Sequence, residues 1–204
     1  MKLYKNLSTA LKERDDVRAI KISLKDKVFP TALFDFPNLE EAYLEGDCES
    51  FPDDVKEWKG LKTLSIKWSQ FSGDLSALFS LSSLENLKII ETPIKIFLLP
   101  LGKINAPLKF LTIKSCGLQA LPEEISMMVN LQEMHLPGNN LSILPLSFKE
   151  LQALKRLNLD NNQFQNFPNQ IKLMKGLAHL SIDGNFFDED EKARIQREFH
   201  IWPN

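Results

Sequence analysis

Several residue types that mark common protein classes are scarce in this chain. Of its 204 residues, 2 are cysteine and 3 are histidine. Cys48 and Cys116 lie far apart along the sequence, which excludes a disulfide framework and metal-ligand spacing. Charge of one sign is lacking as well, with 25 Lys and Arg against 27 Asp and Glu. That balance argues against nucleic acid as a partner, because polyanion binding needs a clustered cationic excess. No run approaches the roughly 18 apolar residues that a membrane span requires, so no membrane insertion is expected. The start, MKLYKNLSTALKERDD, lacks the continuous apolar stretch of a secretory signal. There is no nucleophile elbow, no phosphate loop, no HExxH helix and no buried carboxylate pair. Catalysis, cofactors and metal are therefore not expected.

Repetition is what the chain has in abundance. LKFLTIKSCGL (108 to 118), LQEMHLPGNNL (131 to 141), LKRLNLDNNQF (154 to 164) and LAHLSIDGNFF (177 to 187) align without a gap, 23 residues apart, on LxxLxLxxNxL. LENLKIIETPI (84 to 94) and LKTLSIKWSQF (61 to 71) fit with Thr92 and Ser69 at the Asn position, and further copies begin at Leu39 and Val17. Eight repeats thus cover residues 17 to 187, with residues 1–16 and 188–204 left as helical end caps. This period and template are the leucine-rich-repeat signature.

Each template position has a physical reason. In xLxLx the two leucines are two apart and point to one face of an extended strand, leaving the residues between them on the other. Stacked in parallel, such strands form a sheet buried on one face, with short return segments covering that side. Where the chain leaves the strand, its backbone polar groups need partners, at roughly 1 to 3 kcal/mol for each left unpaired. Asn139, Asn162 and Asn185 can donate and accept at once and predict a ladder along the stack, with Ser69, Thr92 and Cys116 as weaker substitutes at the same level. The return legs, such as LPEEISMMVNL (121 to 131), carry apolar residues at every third position after a proline, which predicts 3₁₀ or short α turns. The leg at 97 to 108 departs from this pattern and predicts an irregular loop.

A solenoid needs covers at both ends. Tyr4, Leu7, Ala10 and Leu11 are spaced for one helix face, with Asn6 or Ser8 as N-cap. Asp188 and Glu191 match a capping box, and Ile195 with Phe199 predicts a helix sealing the last repeat.

The chain resembles the bacterial 23-residue leucine-rich-repeat proteins of pathogenic spirochaetes, on the repeats quoted and on the boundary segments NLSTALKERDDVRAIKIS and GNFFDEDEKARIQREF. The first two repeats depart from that pattern, with 22 residues each and Lys25 and Asp47 near the Asn level. The resemblance implies an α/β right-handed horseshoe and recognition of a protein, a host or surface protein among the expected partners. An intracellular scaffold or adaptor for other bacterial proteins is the alternative. Localisation stays open between a secreted or surface-exposed protein and a cytoplasmic one.

The outward strand positions build the concave face, about 35 Å along eight strands spaced about 4.8 Å apart, a size that suits a protein or peptide. Tyr43, Trp68, Ile90 and Phe110 place apolar side chains on or beside this face in four adjacent repeats, interleaved with Lys67, Lys88 and Lys114. An aromatic cluster rimmed by charge resembles a binding hot spot. His135, Arg156 and Asp160 continue the face toward the C-terminus. A carbohydrate binder using the exposed aromatics is a third class. A monomer is expected.

Overall fold

The computed structural model describes residues 1–94, 97, 99, 104 and 106–203, the side chain of residue 53 excepted. Alternation of inward apolar and outward polar residues builds one 9-stranded parallel sheet whose spatial order is its chain order. Its strands are β1 (Leu3–Tyr4), β2 (Ala19–Lys27), β3 (Glu41–Cys48), β4 (Thr63–Trp68), β5 (Asn86–Ile90), β6 (Phe110–Lys114), β7 (Glu133–His135), β8 (Arg156–Asn158) and β9 (His179–Ser181). The inward leucine column is in register, with Leu111 beside Met134, Met134 beside Leu157 and Leu157 beside Leu180. The protein is a leucine-rich-repeat solenoid.

Return segments cover the inward face as 3₁₀ turns at Thr31–Asp35, Asp53–Glu57, Ser76–Ser80, Glu123–Met127, Leu146–Glu150 and Asn169–Leu173. Proline precedes each of them except the third and fixes the entry backbone. In the third, the Asp74 carboxylate accepts the Ser76 N–H at 2.7 Å in its place. Each turn buries an apolar residue, such as Leu33, Val55, Leu78, Ile125, Phe148 and Ile171, against the strand leucines. The irregular loop expected at 97 to 108 falls largely outside the described residues. Within that stretch Phe97 is buried and meets Phe79 edge-on, 5.4 Å between ring centroids.

The N-terminal cover is helical over Leu7–Ala10 and, as a 3₁₀ segment, Leu11–Asp16, and it departs from the expected helix face at Tyr4. Tyr4 lies on β1, which pairs with β2 and extends the sheet by one strand. Helix α1 is short (Leu7–Ala10), with the Asn6 side chain accepting the Thr9 N–H at 3.0 Å. A hydrophobic residue can serve either element, and the free edge of β2 selects the strand. At the other end, helix α2 (Glu189–Phe199) is N-capped by Asp188, whose carboxylate accepts the Glu191 N–H at 2.8 Å. Glu191 does not complete a capping box. Its carboxylate accepts the Phe167 N–H at 2.7 Å and pairs with Arg194, so it ties α2 to the repeat beneath. Ile195 is fully buried, and the Phe199 ring stacks on Phe167 at 4.2 Å.

Two kinds of repeat share this sheet. In the later ones the Asn ladder forms as the template requires. Asn162 donates to the Leu136 and Leu159 carbonyls at 2.9 and 3.0 Å and accepts the Leu141 N–H at 3.1 Å. Asn139 and Asn185 make the equivalent bonds one repeat before and after. Thr92 and Cys116 stand at the same level: Thr92 Oγ1 accepts the Trp68 N–H at 3.0 Å, and Cys116 Sγ lies 3.2 Å from the Lys114 carbonyl. Burial lifts the Cys116 thiol to about 11, which keeps it protonated.

Ser69 is a correction. It is exposed, and its hydroxyl bonds the Asp47 carboxylate outside the ladder. The cause is Trp68. Strand β4 continues through Trp68, so residues 64, 66 and 68 all point inward and the next residue points out.

Candidate functional site

The outward face of the sheet presents one residue in two from each strand. Its charges are mostly spent within the face itself. Lys21 pairs with Glu45 at 2.8 Å, Lys67 with Glu91 at 2.7 Å, and Glu133 with Arg156 at 3.5 Å and His135 at 3.4 Å. Asp160 accepts the Ser181 hydroxyl at 2.6 Å, the Asp183 N–H at 2.8 Å and the Asn158 amide at 2.9 Å. Tyr43 is half-buried and donates its hydroxyl to Glu41 on its own strand at 2.9 Å. Burial first, and that carboxylate second, raise the phenol above its usual value.

Lys88 and Lys114 differ. Both are exposed, and neither has an ion-pair partner among the described residues. They flank Ile90 and Phe110 on the adjoining strands β5 and β6. Ile90 stands opposite Lys114, and Asn86 stands opposite Phe110. Phe110 is 36% exposed, a large fraction for an aromatic residue inside a sheet. Beside it on β5, the Asn86 side-chain oxygen is buried with no hydrogen-bond partner among the described residues. Two unpaired cations, two apolar side chains and an unsatisfied amide oxygen are thus spread along the outward face of two adjacent strands, at the middle of the stack.

The sequence reading and the structure divide over the other candidates. Trp68 is withdrawn from this face, because it is fully buried and packs on Phe51 and Phe71 at 5.5 Å each. Tyr43 lies two strands away from β5 and is spent on Glu41. His135, Arg156 and Asp160 are on the face but engaged with neighbours. Asn86 was missed, and its signal was available: it occupies an outward template position with a side chain that needs partners on both its atoms.

Among the described residues, no cluster of three His, Cys, Asp or Glu side chains is placed to hold a metal ion. Among them too, no helix is long and apolar enough to cross a membrane.

A family model described as Leucine Rich Repeat matches residues 153–174. The human volume-regulated anion channel subunit LRRC8A is 30% identical over 143 residues, which are 64% of this chain and 17% of that protein. The chain therefore covers only a small part of the length of that relative and of its rat and mouse counterparts. Among solved structures, the plant peptide hormone receptor RGFR1 in complex with RGF2 aligns with a TM-score of 0.61 and 17% identity, over 90% of this chain and 30% of that one. A leucine-rich-repeat protein of Leptospira interrogans aligns over 98% of both chains at 18% identity, with a TM-score of 0.42. The similarity to RGFR1 concerns the fold.

Proposed function

We propose that this chain is a protein-binding module that takes a protein or peptide segment across the middle of its strand face. The observation that carries this reading is the contrast in pairing. A face that pairs Lys21 and Lys67 internally leaves Lys88 and Lys114 free beside Ile90 and Phe110. Keeping cations unpaired next to exposed apolar surface is useful when a partner brings carboxylates and an apolar side chain together. Proteins of this fold generally serve as non-enzymatic interaction scaffolds, and RGFR1, a plant peptide hormone receptor in complex with RGF2, is one example of the type. The preferred partner is accordingly a segment with acidic residues flanking an apolar one.

Recognition of a host or surface protein is the setting that the spirochaete-type resemblance supports. An intracellular adaptor would use the same face on a different partner. Recovery of the native protein from the cytoplasmic fraction alone would count against the first setting.

The face itself is tested by immobilising the wild-type chain and a Lys88→Glu/Lys114→Glu variant and comparing what each retains. The expected outcome is a set of acidic partners captured by the first and lost by the second, at equal melting temperature. Identical capture would remove the central strands from consideration. Retention by the wild type should also weaken as salt rises, since exposed charges are screened within about 10 Å at 0.1 M ionic strength.

A further inference from the structure

The flank of the later repeats, beyond the Asn ladder and away from the strand face, holds a groove of different chemistry. Its main cleft, about 640 Å³, is lined by Ser142, Ile143, Gln163, Gln165, Asn166 and Phe186. A smaller cleft shares Ser142, Ile143 and Asn166 and continues the groove toward Asn169. No charged side chain lines either one. That is unusual on a chain in which 25% of residues are charged. Two of its apolar side chains stand out into solvent, Phe186 at 66% and Ile143 at 70% exposure.

Amides elsewhere in these repeats are consumed by the fold: Asn139, Asn162 and Asn185 by the ladder, and Gln170 by the Leu144 carbonyl at 2.8 Å. The side chains of Gln163, Gln165 and Asn166 have no hydrogen-bond partner among the described residues. The backbone around them is nevertheless fixed, at Phe164 by the Asn185 side chain and at Phe167 by Glu191. The Gln163 N–H donates to the Leu141 carbonyl at 2.8 Å, and the Phe186 N–H to the Phe164 carbonyl at 2.9 Å. The groove therefore offers free amides and an exposed ring on a rigid base, an arrangement that lowers the ordering cost of binding.

We infer that this groove is a second binding site, for a neutral oligosaccharide. An amide presents an acceptor and donors side by side, matching neighbouring sugar hydroxyls that also donate and accept. The Phe186 face can take the C–H face of a sugar ring, burying apolar surface on both. An uncharged ligand leaves no ion unpaired in a groove that holds none. The groove crosses three repeats, on the order of 10 Å at the strand spacing, which is room for two or three sugar rings. A charged peptide would find no counter-ion there.

The test uses the full chain labelled with ¹⁵N, titrated separately with maltohexaose, cellohexaose and chitohexaose. At least one sugar is expected to shift the side-chain amide resonances of Gln163, Gln165 and Asn166 saturably. Phe186→Ala should then weaken binding about ten-fold at unchanged melting temperature, while Phe110→Ala on the strand face should leave it unchanged. The inference is overturned if none of the three sugars moves those resonances, or if Phe186→Ala binds as well as wild type. It is equally overturned if a neutral Gln/Asn peptide moves them and the sugars do not. Failure of the strand-face reading would leave all of these outcomes intact.

Discussion

The first three repeats and the last three solve one problem in different ways. Both must turn the chain out of a parallel strand every 22 or 23 residues without stranding backbone polar groups. The last three stop early: β7, β8 and β9 have 3 residues each, and an asparagine side chain takes up the freed N–H and C=O groups. The first three run on: β2, β3 and β4 have 9, 8 and 6 residues, and backbone pairing does the work that the asparagine does later. Their interior is filled by aromatic rings. Trp68, Phe29, Phe51, Trp58 and Phe71 pack with centroids 5.1 to 6.5 Å apart. The aromatic solution also leaves the Trp68 Nε1 buried without an acceptor among the described residues. A repeat length, then, does not dictate one interior. Polar satisfaction by a side chain and extension of the sheet over an apolar filling are interchangeable answers, and Thr92 and Cys116 mark where the chain passes from one to the other.

Gly46 makes the early solution possible. It lies in β3 beside Trp68 with φ of +106°, and a Cβ there would come within 2.2 Å of the Leu24 carbonyl oxygen. Only glycine tolerates both that backbone and that approach.

The sharpest way to break the comparison is at the two centres. Trp68→Ala should destabilise the chain by about 3 to 5 kcal/mol through the cavity left among the rings, read by urea denaturation. A loss below about 1 kcal/mol would mean the cluster does not hold the early repeats together. Asn162→Ala should cost about 2 to 4 kcal/mol, because the Leu141 N–H and the Leu136 carbonyl lose the amide that bonds them. Its signature is local, with hydrogen exchange faster at Leu141 than anywhere in β2 to β4. Uniform acceleration would contradict two separate solutions.

A smaller effect belongs to the C-terminal cap. Arg194 beside Glu191, aided by the Phe167 N–H, holds the Glu191 carboxyl below its usual range. A depressed carboxylate stabilises the folded state above the unfolded pKa, near 4.3, and this contribution fades as pH falls through the folded value. Glu191→Gln should therefore cost about 1 kcal/mol at neutral pH and nothing in strong acid, by denaturation at both. An undiminished difference in acid would refute the charge as the cause. Smallest of all, Ser69→Ala should change stability by less than about 0.5 kcal/mol, since its hydroxyl serves only an exposed carboxylate. A loss comparable to that of Asn162→Ala would restore Ser69 to the ladder.

The periodic leucines and prolines, read as a string, were enough for the parallel stack, the inward column from Leu111 to Leu180, the 3₁₀ returns and the Asn139, Asn162 and Asn185 ladder. These follow from local rules, the two-residue alternation of strands and the bonding capacity of an amide, so they are written in the residues themselves. The site was half legible: Lys88, Ile90, Phe110 and Lys114 share a face by alternation alone, but which lysines lack partners depends on side chains 20 or more residues away. Trp68 and Tyr4 escaped for a similar reason. Whether Trp68 points in or out turns on how far β4 extends, and that is decided by β3 and by rings contributed by three different repeats. Tyr4 joins the sheet because β2 offers a free edge. Spacing fixes what a chain can do with itself locally; only tertiary packing decides which of two locally equal conformations buries more surface and satisfies more backbone.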